Sequence, residues 1–293
     1  MLTRRQLGAL VLLTLMWGLN WPMMKFSLRE LSPLYFRAVT MTGGALLLLA
    51  FYRGRGVRFA LPPGEFVRIA WLALPNILGW HLFSILGVQE LASGRAAILG
   101  FTMPIWTVLI AAVLFGERLD HRIFLSVVCG AAAVGLLVAQ EFTALAGRPV
   151  GIVWMQIAAF SWALGTVLMR RTHSTVPTEA LTVWMMGMGS VAFWIIAGLT
   201  EPAPTWQFSV PMGWSLVWGA TINYGFAQII WFGMARNLPP AASAFSIMAV
   251  PLIGTGSATL IVGEVPQWQD LAAAVLIVVA IASALLPRRM SVR

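Results

Sequence analysis

Charge is scarce in this chain. Asp, Glu, Lys and Arg make up 10% of its 293 residues, against about 25% in a water-soluble globular domain, which excludes a fold with an ordinary charged surface. Acidic residues are the rarer sign, 10 against 19 Lys and Arg, and no apolar run holds an Asp or Glu near its middle. Cysteine occurs once, at Cys129, so no intramolecular disulfide can form and the cysteine count is silent on compartment. A glycine-rich phosphate loop ending in lysine is missing, which removes ATP as the direct energy source. No cluster of His, Cys and carboxylates has metal-ligand spacing, and no nucleophile–base motif occurs. An enzyme, a metal centre and a cofactor are therefore not expected. Soluble domains, low-complexity segments and long linkers are lacking as well; the longest polar gaps are 52–65 and 200–211.

What the chain does have is apolar length. Hydrophobic residues reach 59%, the mean hydropathy is +0.85, and several runs approach the twenty residues that span a bilayer as a helix. Spans are expected near 7–28, 33–51, 66–88, 91–115, 122–139, 150–169, 177–199, 212–234, 239–262 and 268–286. The first run continues through Pro22 and Lys25 without a small-residue cleavage site, so it reads as a mature span and not a signal peptide. Fourteen tryptophans against three tyrosines fit a protein with membrane interfaces and apolar cavities. The net charge of +9 sits at the ends of the runs, which favours a membrane over nucleic acid as the partner.

Loop charges set the expected orientation. With the N-terminus inside, the inner side collects fourteen cations: Arg4, Arg5, Arg53, Arg55, Arg58, Arg68, Arg118, Arg122, Arg170, Arg171, Arg236, Arg288, Arg289 and Arg293. The outer side keeps five, Lys25, Arg29, Arg37, Arg95 and Arg148. Both termini are then cytoplasmic, in a multi-pass inner (plasma) membrane protein of bacterial type.

The stretch 91–139 occurs twice. Leu91 matches Leu238, Pro104 matches Pro251, and Gly116-Glu117 matches Gly263-Glu264, all 147 positions on. Further echoes join Met16-Trp17-Gly18-Leu19-Asn20 to Ser161-Trp162-Ala163-Leu164-Gly165, Lys25 to Arg170, and Asn76 to Asn223. An internal duplication is the best reading. Each half, 1–143 and 148–289, holds five spans, an odd number, so the halves enter the membrane in opposite directions. Inverted repeats of this kind are a recurrent plan in secondary transporters, with the site between the repeats.

These residues carry a resemblance. The tryptophan-glycine start of span one at Trp17-Gly18, the Ser32-Pro33 and Arg37 start of span two, and the Pro104…Gly116-Glu117 and Pro251…Gly263-Glu264 closures resemble the drug/metabolite transporter superfamily, in its ten-span EamA-type branch. The likeness covers nearly the whole chain and is strongest to YddG-type exporters of aromatic and other neutral amino acids. It implies an all-α integral membrane protein: ten transmembrane helices as two inverted five-helix repeats around a central cavity, with spans 5 and 10 peripheral. The second half departs from the pattern, with Leu181 where the first has Arg37. The related small multidrug pumps use a mid-span carboxylate to exchange protons for cations, and its absence here argues against that activity.

Polar groups inside a bilayer usually face the bundle interior, and helical spacing groups them. Span 1 aligns Trp17, Asn20, Trp21 and Met24 on one face. Span 3 offers Asn76, Trp80 and Ser84 with His81 beside them; span 6 offers Trp162 and Thr166; span 8 offers Asn223, Tyr224, Gln228 and Trp231. Phe101 precedes Pro104 in span 4, and Phe245 and Met248 precede Pro251 in span 9. Such a neutral, aromatic, hydrogen-bonding set suits amphipathic solutes. Each residue also has a structural reading: tryptophans as interface anchors, amides as helix–helix bonds, and His81 as a packed histidine or a proton carrier. Pro104 and Pro251 each remove a backbone hydrogen bond, as a packing kink or a gate hinge. Glu117 and Glu264, at span ends, read as solvated or capping carboxylates. Small residues in spans 5 and 10, such as Gly130–Ala133 and Ala272–Ala274, permit close packing within the bundle or across a weak homodimer.

The expected function is secondary transport, by uniport or exchange, exporting neutral amphipathic metabolites, aromatic amino acids among them, in contact with membrane lipid. Two alternatives stand beside it: a proton-coupled exporter of drugs or cationic solutes, and, in another class, an intramembrane enzyme or lipid-handling protein.

Overall fold

The computed structural model describes residues 4–116, 121–143, 148–172, 174–230 and 240–285, apart from the side chains of 141, 143, 170, 240–248, 284 and 285. Among them there is no strand. The helices, numbered in chain order, are α1 Arg4–Ser27, α2 Pro33–Gly54, α3 Glu65–Glu90, α4 Ser93–Phe115, α5 His121–Thr143, α6 Pro149–Arg171 and α7 Thr178–Thr200. They continue with α8, composed of Val210–Val217 and the π-helical Trp218–Phe226, then α9 Pro240–Val262 and α10 Trp268–Leu285. The first seven are long and apolar enough to cross a membrane, and shorter apolar helices follow at Ala249–Val262 and Trp268–Ser283. The chain is an all-α integral membrane protein.

Helix is the form these runs must take, because hydrocarbon offers no partner for a free backbone N–H or C=O. Large apolar side chains accordingly point out of the bundle, Leu260 at 88% exposure and Val113 at 81%. The helix ends follow local chemistry. α4 ends at Gly116 and α9 at Gly263, both left-handed (φ 67° and 77°), a conformation that glycine reaches without strain. This is the physical content of the repeated Gly-Glu pair.

Helix starts are capped from a distance. The Glu201 carboxylate, at the end of α7, accepts from Ser32 Oγ (2.7 Å) and from the amides of Leu34 (2.9 Å) and Tyr35 (3.1 Å) at the start of α2. Glu264 accepts from the amide and the hydroxyl of Ser93, both at 2.7 Å, at the start of α4. Glu30 accepts from the amide (2.8 Å) and hydroxyl (2.5 Å) of Ser209, the N-cap of α8. Each anion satisfies donors that a helix start leaves open and meets the positive end of the dipole. The Ser209 hydroxyl, and then its amide, hold the exposed Glu30 carboxyl below the usual carboxylate range. Glu264 is thus a cap, of another helix; Glu117 lies outside the described residues.

Packing pairs α1 with α9, α4 with α6, α2 with α7, α3 with α6, and α5 with α10. Under the duplication α1 corresponds to α6 and α4 to α9, so the first two pairs exchange while α2–α7 and α5–α10 map onto themselves. Backbones come close where side chains vanish. A Cβ at Gly18 would lie 2.4 Å from Ile253 Cγ2 of α9, and one at Gly44 would lie 2.2 Å from Tyr224 Cβ of α8.

Two charges need correction. The outer-loop tally includes Arg37 and Arg95, but α2 begins at Pro33 and α4 at Ser93, so both arginines lie about one turn inside a helix or less, at 2% and 9% exposure. Arg95 pairs with Asp270 of α10, Nε to Oδ1 at 2.9 Å. Asp270 also accepts from the Gln267 amide at 2.9 Å, closing the start of α10.

Gly44→Ala is expected to lower stability by about 1–3 kcal/mol, the cost of overpacking a rigid contact. Gly8→Ala, where a Cβ meets nothing within 4 Å, should stay within about 1 kcal/mol of the parent. Thermal unfolding in detergent reads both.

Candidate functional site

Both third spans contain a π-helical segment, Leu74–Gly79 in α3 and Trp218–Phe226 in α8. Residues 74–79 correspond to 221–226 at the repeat offset of 147, so the irregularity recurs with the duplication. In α3 the segment contains Pro75, which lacks an N–H, and the Trp80 amide reaches back five residues to Pro75 O. Such segments turn the following side chains out of α-helical register and frequently mark functional sites. Trp80 and His81 follow the first segment, and Tyr224 lies in the second.

These turns meet at Arg37. Its Nε donates to His81 O (3.2 Å), Nη1 to the Tyr224 hydroxyl (3.0 Å) and Nη2 to Ser84 Oγ (2.9 Å). The Tyr224 hydroxyl lies 2.9 Å from His81 Nδ1. A guanidinium only donates, so the phenol oxygen accepts from it, and the same hydroxyl shares a hydrogen bond with His81 Nδ1. One network therefore ties α2, α3 and α8.

Beside it the rings gather. Trp80 lies 4.6 Å from Trp162 of α6 and 6.2 Å, edge-on, from Trp21 of α1, which in turn lies 6.5 Å from Phe101 of α4. His81 and Tyr224 are 5.1 Å apart. Six of the sequence-expected residues, Trp21, Trp80, His81, Phe101, Trp162 and Tyr224, thus come together from five helices, with Ser84 bound to the same network. The rings touch one another, so the cluster is packed on itself in this structure.

Other expected residues sit differently. Asn76 is buried, donates from Nδ2 to Leu72 O of its own helix (2.9 Å), and fills the space at Gly165, where a Cβ would lie 2.4 Å from its Cγ. Thr166 donates to Trp162 O, one turn back (2.9 Å). Trp17 is half-buried between two apolar clusters, and Asn20 and Met24 are buried on the same helix. Asn223 is half-buried on α8, as is Gln228 in the helical turn 227–230 that follows its π segment. Trp231 lies outside the described residues; Phe245 and Met248 lie on α9, with side chains that are not described. At Pro104 the helix breaks over Phe101 and Thr102, and the Thr102 hydroxyl bonds the Leu99 carbonyl (2.8 Å). α9 runs unbroken through Pro251.

Sequence reasoning missed two residues here. Arg37 was visible as a charge one turn after Pro33. Gln156, in the run 150–169, accepts from Trp106 Nε1 (3.0 Å) and Thr102 Oγ1 (3.3 Å), joining α6 to the break in α4. Among the described residues no three His, Cys, Asp or Glu side chains gather as a metal site requires.

The end of the bundle that carries the three carboxylate caps is laced further. Lys25 Nζ donates to the carbonyls of Val88 and Gln89, both at 2.8 Å, at the C-terminus of α3. Arg148 pairs with Glu90 at 2.7 Å, and this partner raises the pKa of the exposed guanidinium further above its ordinary value. A recess of about 260 Å³ lies here, lined by Lys25, Leu28, Arg29, Gln89, Val262 and Glu264.

Fold and cluster together define a polytopic helical membrane protein with a polar, aromatic centre fed by helices from both halves. The chain belongs to the EamA-like transporter family, which matches residues 6–139 and again 149–286. It is 22% identical to an uncharacterized transporter of Bacillus subtilis, YoaV, over 83% of this chain and 84% of that one. It is 23% identical to an Escherichia coli protein named "Probable amino-acid metabolite efflux pump", over 89% and 88% of the two chains. A solved crystal structure of a protein, 23% identical, shares the fold with a TM-score of 0.66 over 94% of this chain and 96% of that chain. The protein is a transporter and not an enzyme.

Tyr224→Phe should destabilise the protein by about 1–3 kcal/mol, because it strips an acceptor from buried Arg37 and a partner from His81. Ser84→Ala should cost less. The two should combine non-additively, since both end on one guanidinium, and a double-mutant cycle of thermal unfolding in detergent checks this.

Proposed function

We propose that this chain exports neutral amphipathic metabolites, amino acids with aromatic side chains among them, by alternating access. The observation that carries the reading is the convergence of Trp21, Trp80, Phe101, Trp162 and Tyr224 from α1, α3, α4, α6 and α8. Among the described residues no carboxylate joins them, and the cation Arg37 stands beside them, so the cluster lacks the anion that would pair with a cationic drug. When the halves move apart the indoles can receive an apolar ring, and the Ser84, His81 and Tyr224 groups offer hydrogen bonds to its polar end. The name of the Escherichia coli relative supports amino-acid metabolites as the class.

The two halves, 1–143 and 148–289, act as inverted repeats that rock about the cluster. The break before Pro104, where the Thr102 hydroxyl bonds the Leu99 carbonyl, is the hinge in the first half, and Pro251 takes that part in the second. The orientation keeps both termini cytoplasmic in an inner membrane. With Arg37 and Arg95 buried, the outer loops retain three cations, Lys25, Arg29 and Arg148, against fourteen inside. The laced end is then the outer one, and its ties must part for release. Transport is by uniport or exchange.

Liposomes containing only this protein, loaded in turn with labelled phenylalanine, tryptophan, threonine or a lipophilic cation, test the proposal with and without a pH gradient. Amino acids should move saturably and indifferently to the gradient. Trp162→Ala should slow them about tenfold, near the upper worth of an aromatic contact. Movement of the cation alone, or dependence on the gradient, contradicts the proposal and returns His81 to the role of proton carrier.

A further inference from the structure

Among the described residues two arginines are buried, and they are treated differently. Arg95 has a carboxylate at 2.9 Å, Asp270. Arg37, the more buried of the two, meets a carbonyl, a phenol and a hydroxyl, all neutral. Among the described residues no carboxylate pairs with it. A cation deep in an apolar bundle is costly unless paired, and in membrane proteins such a group commonly lies on a substrate path.

We propose that Arg37 is the receptor for a carboxylate on the transported solute, which makes the substrate class aromatic and apolar carboxylates, α-amino acids included, and excludes aromatic amines that lack an acid group. This rests on the exporter reading above. Three of the five guanidinium N–H groups are engaged, leaving two for an incoming acceptor. The planar fork matches a carboxylate better than any other side-chain donor does. Position agrees with chemistry. The network that holds Arg37 includes His81, whose ring centroid lies 6.4 Å from that of Trp80, itself packed on Trp162, so an acid bound there has these indoles within reach of its ring. The second half has Leu181 in the corresponding place, buried and apolar, so the site has one charged end and the solute one orientation. Ser84 and Tyr224 are positioning residues that keep the fork in place while the site is empty.

The test is phenylalanine counterflow in liposomes, competed by 3-phenylpropionate or by 3-phenylpropionamide, which are nearly the same in shape and differ in the charge of the head group. The acid should compete at least about tenfold better than the amide on the wild type, the order expected for a charge-assisted bond in a dry site. Arg37→Gln should bring the two to parity, and Arg37→Lys should keep the acid ahead. Equal competition by acid and amide on the wild type overturns the inference and leaves the exporter reading standing. Absence of phenylalanine counterflow on the wild type overturns the exporter reading. In that event thermal stabilisation of the purified protein by the acid, measured against the amide, decides the Arg37 site alone: preference for the acid that vanishes in Arg37→Gln upholds it, and no preference removes it. If Arg37→Gln does not fold, the wild-type comparison and Arg37→Lys decide the matter by the same criteria.

Discussion

Hydrocarbon supplies no hydrogen bonds, so every polar group in this bundle must find its partner in the chain itself. Helices satisfy most of the backbone at once. The remainder is settled locally: Thr102 bonds the carbonyl of Leu99 at the break before Pro104, and Thr14, Thr40 and Thr166 each bond the carbonyl one turn back. Helix starts also draw partners from a distance. Glu201, Glu264 and Glu30 each serve a helix far away in sequence, and the same contacts join residues before 143 to residues after 148. Satisfying the backbone and closing one end of the bundle are here one set of bonds.

Arg37 is where this rule is met with neutral partners only. The network it forms needs α2, the π segment of α8 and the turn after the π segment of α3 together, and Gly44 lets α2 and α8 approach closely enough to make it. The aromatic cluster stands on the same turns. A structural irregularity, a buried cation and a set of rings therefore share one location, and the duplication supplies that location with matching helices from both halves.

Much of the fold was legible in the sequence, because hydropathy and length dictate spans, and glycine at 116 and 263 marks the helix ends by a conformation other residues resist. Trp21, Trp80, Trp162 and Tyr224 were legible as a candidate group through helical spacing and Phe101 through its place before Pro104, and the structure brings their rings together. Long-range partners were not. Nothing local in Glu201 points to Ser32, nor in Asp270 to Arg95, and the loop rule counts an arginine without knowing that its helix has already begun. The π segments escaped because hydropathy is blind to helix type. Asn76 and Thr166 share a face with the cluster, yet their own helices offered nearer partners, which spacing cannot decide.

The central claim is that the solute passes through the aromatic cluster between the halves. A structure of the protein with 4-bromophenylalanine, locating bromine by its anomalous scattering, tests this most directly. The account predicts bromine among Trp21, Trp80, Phe101 and Trp162. Bromine confined to the recess beside Lys25 and Glu264, or to the lipid-facing surface of the helices, would contradict it.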